Sequence, residues 1–96
     1  MYGDDGLHEV IRSALASSSS LVLKNVVVNG CRTSMRLEPA MWSALAEIAH
    51  RERLTQNQIC DLVHLHKAEG TTLTSAMRVF IMDYFRISSM WDGKKK

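Results

Sequence analysis

The chain is sparing with several residue types, and each shortage excludes something. It holds two cysteines, Cys31 and Cys60, among 96 residues. They form neither a CxxC pair nor a Cys/His ligand spacing, which argues against a disulfide framework and a zinc ribbon; two reduced thiols in the core are expected. No apolar run approaches the roughly 18 residues of a membrane span, and no charged-then-apolar leader opens the chain. A soluble, cytoplasmic protein is therefore expected. Neither sign of charge dominates, the net charge being +2. That balance permits nucleic-acid binding without demanding it, so the placement of the basic residues matters more than their total.

The chemistry of catalysis is also thinly represented. No Ser/His/Asp arrangement, paired-carboxylate motif or glycine-rich phosphate loop stands out, so neither an enzyme nor a cofactor is expected. His64 and His66 are two positions apart in a helical stretch and point to different faces, whereas ligand pairs on a helix need i, i+3 or i, i+4 spacing. His50 falls in a different helix. No metal site is expected.

What the chain does have is apolar surface, with 46% hydrophobic residues and six methionines. That is ample for one globular domain and excludes wholesale disorder. A chain of this length buries only about 60–65% of the surface its unfolded form exposes. A partner subunit is a natural place for the surplus.

Residues 1–20 read as a flexible leader. Leu7, Val10, Ile11, Ala14 and Leu15 follow helical spacing, so a short helix from Asp4 or Asp5 is possible there. The four serines Ser17 to Ser20 end it as a linker. Residues 21–28 are apolar and β-branched and predict a strand. Asn29 and Gly30 accept positive φ, as a turn or bend requires. From Cys31 to Leu37 the alternation is clean. Cys31, Thr33, Met35 and Leu37 point one way, and Arg32, Ser34 and Arg36 the other, as in a half-buried strand with a basic outer face.

Pro39 suits the first position of a helix, where its missing N–H is not needed. The helix runs to Arg53 with Trp42, Leu45, Ala46 and Ala49 on one face, and Arg51 and Arg53 favour its C-terminal dipole. Thr55 caps a second helix through His66, with Ile59, Leu62, Val63 and His66 on one face. After a break at Gly70, Thr72 or Thr74 caps a third predicted helix through Arg86. Its apolar stripe is Met77, Phe80, Ile81 and Tyr84, extended by Leu73 and Phe85. The domain is thus expected over 21–87, followed by a basic tail, 88–96, ending in Lys94, Lys95 and Lys96.

The strand from Cys31 to Leu37 needs a partner for its backbone and a floor for its apolar face. Pairing with the same strand of a second copy would meet the first need and double the Arg32/Ser34/Arg36 face about a two-fold axis. A two-stranded antiparallel ribbon fits the major groove of B-DNA, where Arg can hold guanine O6 and N7. The helix starting after Leu54-Thr55 would aim free N–H groups at a phosphate, with Thr55, Gln56 and Asn57 at its start. Taken alone, Arg32 and Arg36 would also serve as the solvated face of an ordinary edge strand; the helices that follow favour groove reading.

This order of alternating strand, Pro-initiated helix, Leu-Thr turn and second helix resembles the ribbon-helix-helix family, the group that includes the Arc and Met repressors. It is closer still to a bacterial subgroup described only as ribbon-helix-helix domain proteins, on the strings Gly30-Cys31-Arg32-Thr33-Ser34-Met35-Arg36-Leu37-Glu38-Pro39 and Leu73-Thr74-Ser75-Ala76-Met77-Arg78-Val79-Phe80 and the pair Trp42 and Leu45. The resemblance implies a mainly α fold with one or two short β-strands. It also implies an intertwined homodimer with an intermolecular antiparallel ribbon, and a third C-terminal helix that enlarges the core. Carried over by position, Arg32, Ser34 and Arg36 read bases in double-stranded DNA, and Thr55, Gln56 and Asn57 hold phosphates. Thr33, Met35, Leu37, Trp42, Leu45 and Ile59 form the dimer core. The function so implied is a transcriptional regulator, such as a repressor. The alternative is a protein-interaction or antitoxin-like module that meets its partner through the C-terminal helix and Trp91.

Overall fold

The computed structural model describes residues 4–16 and 20–91. In chain order the elements are α1 (Asp4–Ala16), β1 (Val22–Val28), β2 (Cys31–Leu37), α2 (Pro39–Glu52), α3 (Gln56–His66) and α4 (Leu73–Trp91). Helix α1 contributes no residue to the buried core, and its Leu7, Val10 and Ile11 are exposed. The remaining elements share one core. Lys94 to Lys96 and the side chain of Trp91 lie outside the described residues, as do three of the four linker serines, Ser17, Ser18 and Ser19.

The two strands form an antiparallel hairpin in register Val22↔Leu37 through Val28↔Cys31. Asn29 and Gly30 join them, both at positive φ (54° and 80°). That is the two-residue hairpin turn whose twist matches the strands, and Asn-Gly is the pair that adopts it at least cost. The expectation that the Cys31–Leu37 strand lacks a partner within its own chain is therefore corrected. Strand β1 lies beside it, because a two-residue loop leaves the chain no option but to fold straight back.

The ribbon has a buried and an open face. Val26 and Val28 of β1 and Met35 and Leu37 of β2 are buried against the helices, with Thr33 half-buried. Helix α3 lies along β1, while α2 and α4 meet β2. From α2 come Trp42, Leu45, Ile48 and Ala49, from α3 Ile59 and Cys60, and from α4 Met77 and Ile81. Of the residues expected as a dimer core, Met35, Leu37, Trp42, Leu45 and Ile59 are buried within the single chain and Thr33 is half-buried.

Two helical faces and the length of one helix differ from their sequence reading. In α2 the buried stripe takes Ile48 and leaves Ala46 exposed. Both follow helical spacing from Leu45 and Trp42, and the larger side chain faces the core. In α3 Cys60 is buried with Ile59, while Leu62 and His66 are exposed. Helix α4 runs on to Trp91. Its stripe from Met77 to Tyr84 packs as the spacing implies, with Phe80, Tyr84 and Phe85 half-buried against the core.

The thiols part company. Cys60 is buried, but Cys31 is exposed beside the hairpin turn, a correction to the expectation of two core thiols. Cys31 has the inward parity yet sits at the ribbon's end. Burial, with Asp61 adding, pushes the Cys60 thiol up to about 11. A thiol reagent at mildly alkaline pH is expected to modify Cys31 rapidly and Cys60 only on unfolding. The folded pKa of Cys60 exceeds its unfolded value. Its contribution to stability is therefore intact below about pH 9 and lost progressively as pH rises towards 11. A Cys60→Ala variant should show a flatter decline in melting temperature across that window.

Candidate nucleic-acid interface

The open face of the ribbon carries six outward side chains: Leu23, Asn25 and Val27 from β1, and Arg32, Ser34 and Arg36 from β2. In register, Leu23 lies opposite Arg36, Asn25 opposite Ser34 and Val27 opposite Arg32. Arg32 and Arg36 are four residues apart, about 13 Å along the strand at roughly 3.3 Å per residue. The sequence reading of Arg32, Ser34 and Arg36 did not place β1 residues beside them. The parity of residues 23, 25 and 27 held the signal, once the hairpin register was known.

The charge on this face is unspent. Arg12, Arg51, Arg78 and Arg86 each sit within 4.0 Å of a carboxylate, on Glu9, Glu47, Glu38 and Asp83. Among the described residues, Arg32, Arg36 and Arg53 have no such partner. Glu38, at the end of β2, is held below the usual carboxylate range by a hydrogen bond from its own backbone N–H, with Arg78 adding to the effect against a desolvation cost.

The two edges of the ribbon differ. The tight turn makes Val28 and Cys31 a hydrogen-bonded pair, so the bonded pairs alternate down the ribbon. The backbone groups of residues 23, 25 and 27 then point off the β1 edge, and those of 32, 34 and 36 off the β2 edge. On the β1 edge, Val27 N–H donates to Asn57 Oδ1 (3.0 Å) and Asn29 N–H to Asp61 Oδ1 (2.6 Å). Helix α3 thereby closes that edge near the turn. On the β2 edge no hydrogen bond holds the backbone N–H of Arg32, Ser34 or Arg36 among the described residues.

The start of α3 is shaped by a capping box. Thr55 Oγ1 accepts from Gln58 N–H (3.0 Å), and the Gln58 side chain accepts from Thr55 N–H (2.8 Å). Gln56 and Asn57 keep their backbone N–H groups free of such caps, at the positive end of the helix dipole. The preceding turn is made by Arg53 in the left-handed region (φ 59°), with Leu54 N–H returning to Ala49 C=O (3.0 Å). Arg53, without a carboxylate partner among the described residues and two positions before Thr55, is a basic residue whose only expected role was at the helix dipole.

The family described as "Ribbon-helix-helix domain" matches residues 21–85. The chain belongs to the ribbon-helix-helix domain family. Among solved structures it is similar to an uncharacterized protein from Bordetella pertussis Tohama I. The two are 26% identical with a TM-score of 0.68, covering 88% of this chain and 70% of that one. No curated protein matches it. Ribbon-helix-helix domains are in general DNA-binding regulators that act as dimers. The match spans β1, β2, α2, α3 and all of α4 but its last six residues. No described helix is long and apolar enough to cross a membrane, and no described cluster of His, Cys, Asp and Glu could hold a metal ion.

Asn57 has a double placement that sharpens one expectation. Its Oδ1 is committed to Val27, which leaves the amide NH2 and the backbone N–H for a phosphate. Asn57→Asp keeps an acceptor for Val27 and, if Asn57 holds a phosphate, sets a negative charge against it. Binding should weaken on all DNA sequences alike, because phosphates carry no sequence information. Titration of two unrelated duplexes checks this. A change in sequence preference at unchanged affinity would contradict the phosphate role.

Proposed function

We propose that the protein is a homodimeric, sequence-specific double-stranded DNA-binding regulator of the repressor type, which lays a β-ribbon in the major groove. The observation that carries this reading is the conjunction of two unpaired arginines on the open face with an unpaired β2 edge. A second copy pairs antiparallel along that edge about Ser34, so that Arg32 stands opposite the partner's Arg36. The central pair of β2 strands, about 4.8 Å apart, fits a groove about 12 Å wide. The four strands together span about 14 Å between outer axes, which brings each β1 to a groove wall. Helix α3, tied to β1 through Asn57 and Asp61, then places its first turn and Arg53 against the phosphates.

Selection of bound duplexes from a random pool tests this reading. A palindromic site is expected, with salt-sensitive affinity. Failure to enrich any sequence at low salt would overturn it. The dimer has its own test in Ser34→Pro. The Ser34 N–H lies on the β2 outer edge, so proline there spares the hairpin but removes a bond from the subunit ribbon. Ultracentrifugation is expected to show a dimer for the wild type and a folded monomer for the variant. A wild type that stays monomeric at micromolar concentration would count against the ribbon.

One feature supports the protein-interaction alternative. A groove of about 620 Å³ opens between α2, α3 and α4, lined chiefly by apolar side chains including Leu62, Val63, Val79 and Phe80. A chain that dimerises yet ignores DNA at low salt belongs to that second class.

A further inference from the structure

On the open face, Ser34 Oγ–H donates to Asn25 Oδ1 across the ribbon at 3.0 Å. Asn25 and Ser34 face each other in register, and both are exposed. They form a non-hydrogen-bonded pair, the class in which facing side chains come closest. A serine hydroxyl has one proton to donate and two lone pairs to accept with. Here the proton is directed sideways, along the sheet, to the neighbouring strand. What Ser34 turns outward is its lone pairs.

We infer that Asn25 sets the hydrogen-bond polarity of Ser34, making it an acceptor that selects amino-bearing bases, adenine or cytosine, over keto-bearing guanine or thymine at the symmetric centre of the site. This rests on the DNA-binding reading above and adds a residue that reading does not use. In the major groove, adenine N6 and cytosine N4 donate, while guanine O6 and thymine O4 accept. Every base pair presents one of each, so an acceptor-only serine reports which strand carries the amino group. A serine free to rotate could meet either and would discriminate little. In water the Ser34–Asn25 bond is weak because solvent competes for it. Within a groove that excludes water the same bond strengthens and holds the hydroxyl proton. Asn25 is thus a positioning residue acting through Ser34, and its own NH2 remains available for a neighbouring acceptor.

The test is a binding comparison on the selected palindrome and on duplexes in which each central base pair is reversed in both half-sites. For the wild type one symmetric reversal, amino to keto on the read strand, should weaken binding by about fivefold per half-site, the worth of one hydrogen bond. Asn25→Ala should abolish that ratio at that position and leave the preferences read by Arg32 and Arg36 in place. Asn25→Asp keeps an acceptor for the Ser34 proton. It should retain the ratio while lowering affinity on every duplex, which separates polarity from simple loss of a side chain. Ser34→Ala should abolish the ratio as well. An Asn25→Ala protein that retains the amino preference, or a wild type that binds its palindrome with no such preference at any central pair, overturns this inference alone. A wild type that binds no duplex overturns it together with the DNA-binding reading.

Discussion

Met35→Asp is expected to unfold the protein. Met35 is 1% exposed and sits between the ribbon and the helices, with Leu37 beside it at 0%. Among the described residues no buried cation lies in the core to pair with a carboxylate there. An uncompensated charge in such a place costs several kcal/mol, while a domain of this size has only about 5–15 kcal/mol of total stability. Far-UV circular dichroism with a thermal melt is the measurement. The expected result is loss of the cooperative transition, or a melting temperature lowered by well over ten degrees. Ser34→Asp, one residue earlier on the opposite face, supplies the control. It should keep the fold, because its side chain meets solvent, and it should weaken DNA binding. Equal damage from both substitutions would mean that the strand does not present two distinct faces.

Arg36→Ala is expected to reduce specific DNA binding sharply without affecting the fold. Its guanidinium is exposed, has no carboxylate within 4.0 Å among the described residues, and shares the open face with Ser34. A one-residue slip in register would bury both ribbon arginines and expose Met35 and Leu37, so their outward position is strongly enforced. Each lost bidentate base contact should cost about 1–3 kcal/mol, and a two-fold dimer loses the contact twice. Affinity for the selected site and for a scrambled duplex, each over a salt series, separates the possible roles. The expected pattern is a large loss on the selected site with relaxed preference at two symmetric positions, and a smaller loss on the scrambled one. Equal losses on both would make Arg36 a phosphate contact. No loss on either would mean that the ribbon stays out of the groove.

Local rules made much of this fold readable. Period-two alternation from Cys31 to Leu37 assigned Arg32, Ser34 and Arg36 to one face and Met35 and Leu37 to the other, and the structure keeps that division. Asn29-Gly30 marked the turn. Pro39 and Thr55 marked the helix starts, and spacing in α4 marked Met77 and Ile81 as core. Each of these depends on residues within one or two turns of each other, where backbone sterics and side-chain direction act without reference to the rest of the chain.

What remained beyond the sequence were contacts between residues far apart in the chain. Asn57 read as a phosphate contact at a helix start, and Asp61 as an ordinary polar position of that helix. Only the docking of α3 along β1 makes them caps for the backbone of Val27 and Asn29, 30 and 32 residues away. Asn25 had no visible role until the hairpin register set it against Ser34. Cys31 had the parity of a core residue, but it is exposed at the end of the ribbon while its cross-strand neighbour Val28 is buried. Ala46 and Ile48 flank the apolar stripe of α2 on either side, and the packed core takes Ile48 and leaves Ala46 exposed. The sequence by itself determined which side of each element is apolar and where each element starts. The tertiary structure alone decided which edge of the ribbon is closed and which is open. Periodicity encodes the direction of a side chain about its own axis and carries no record of the distance to another element, which is set by the packing of the whole core.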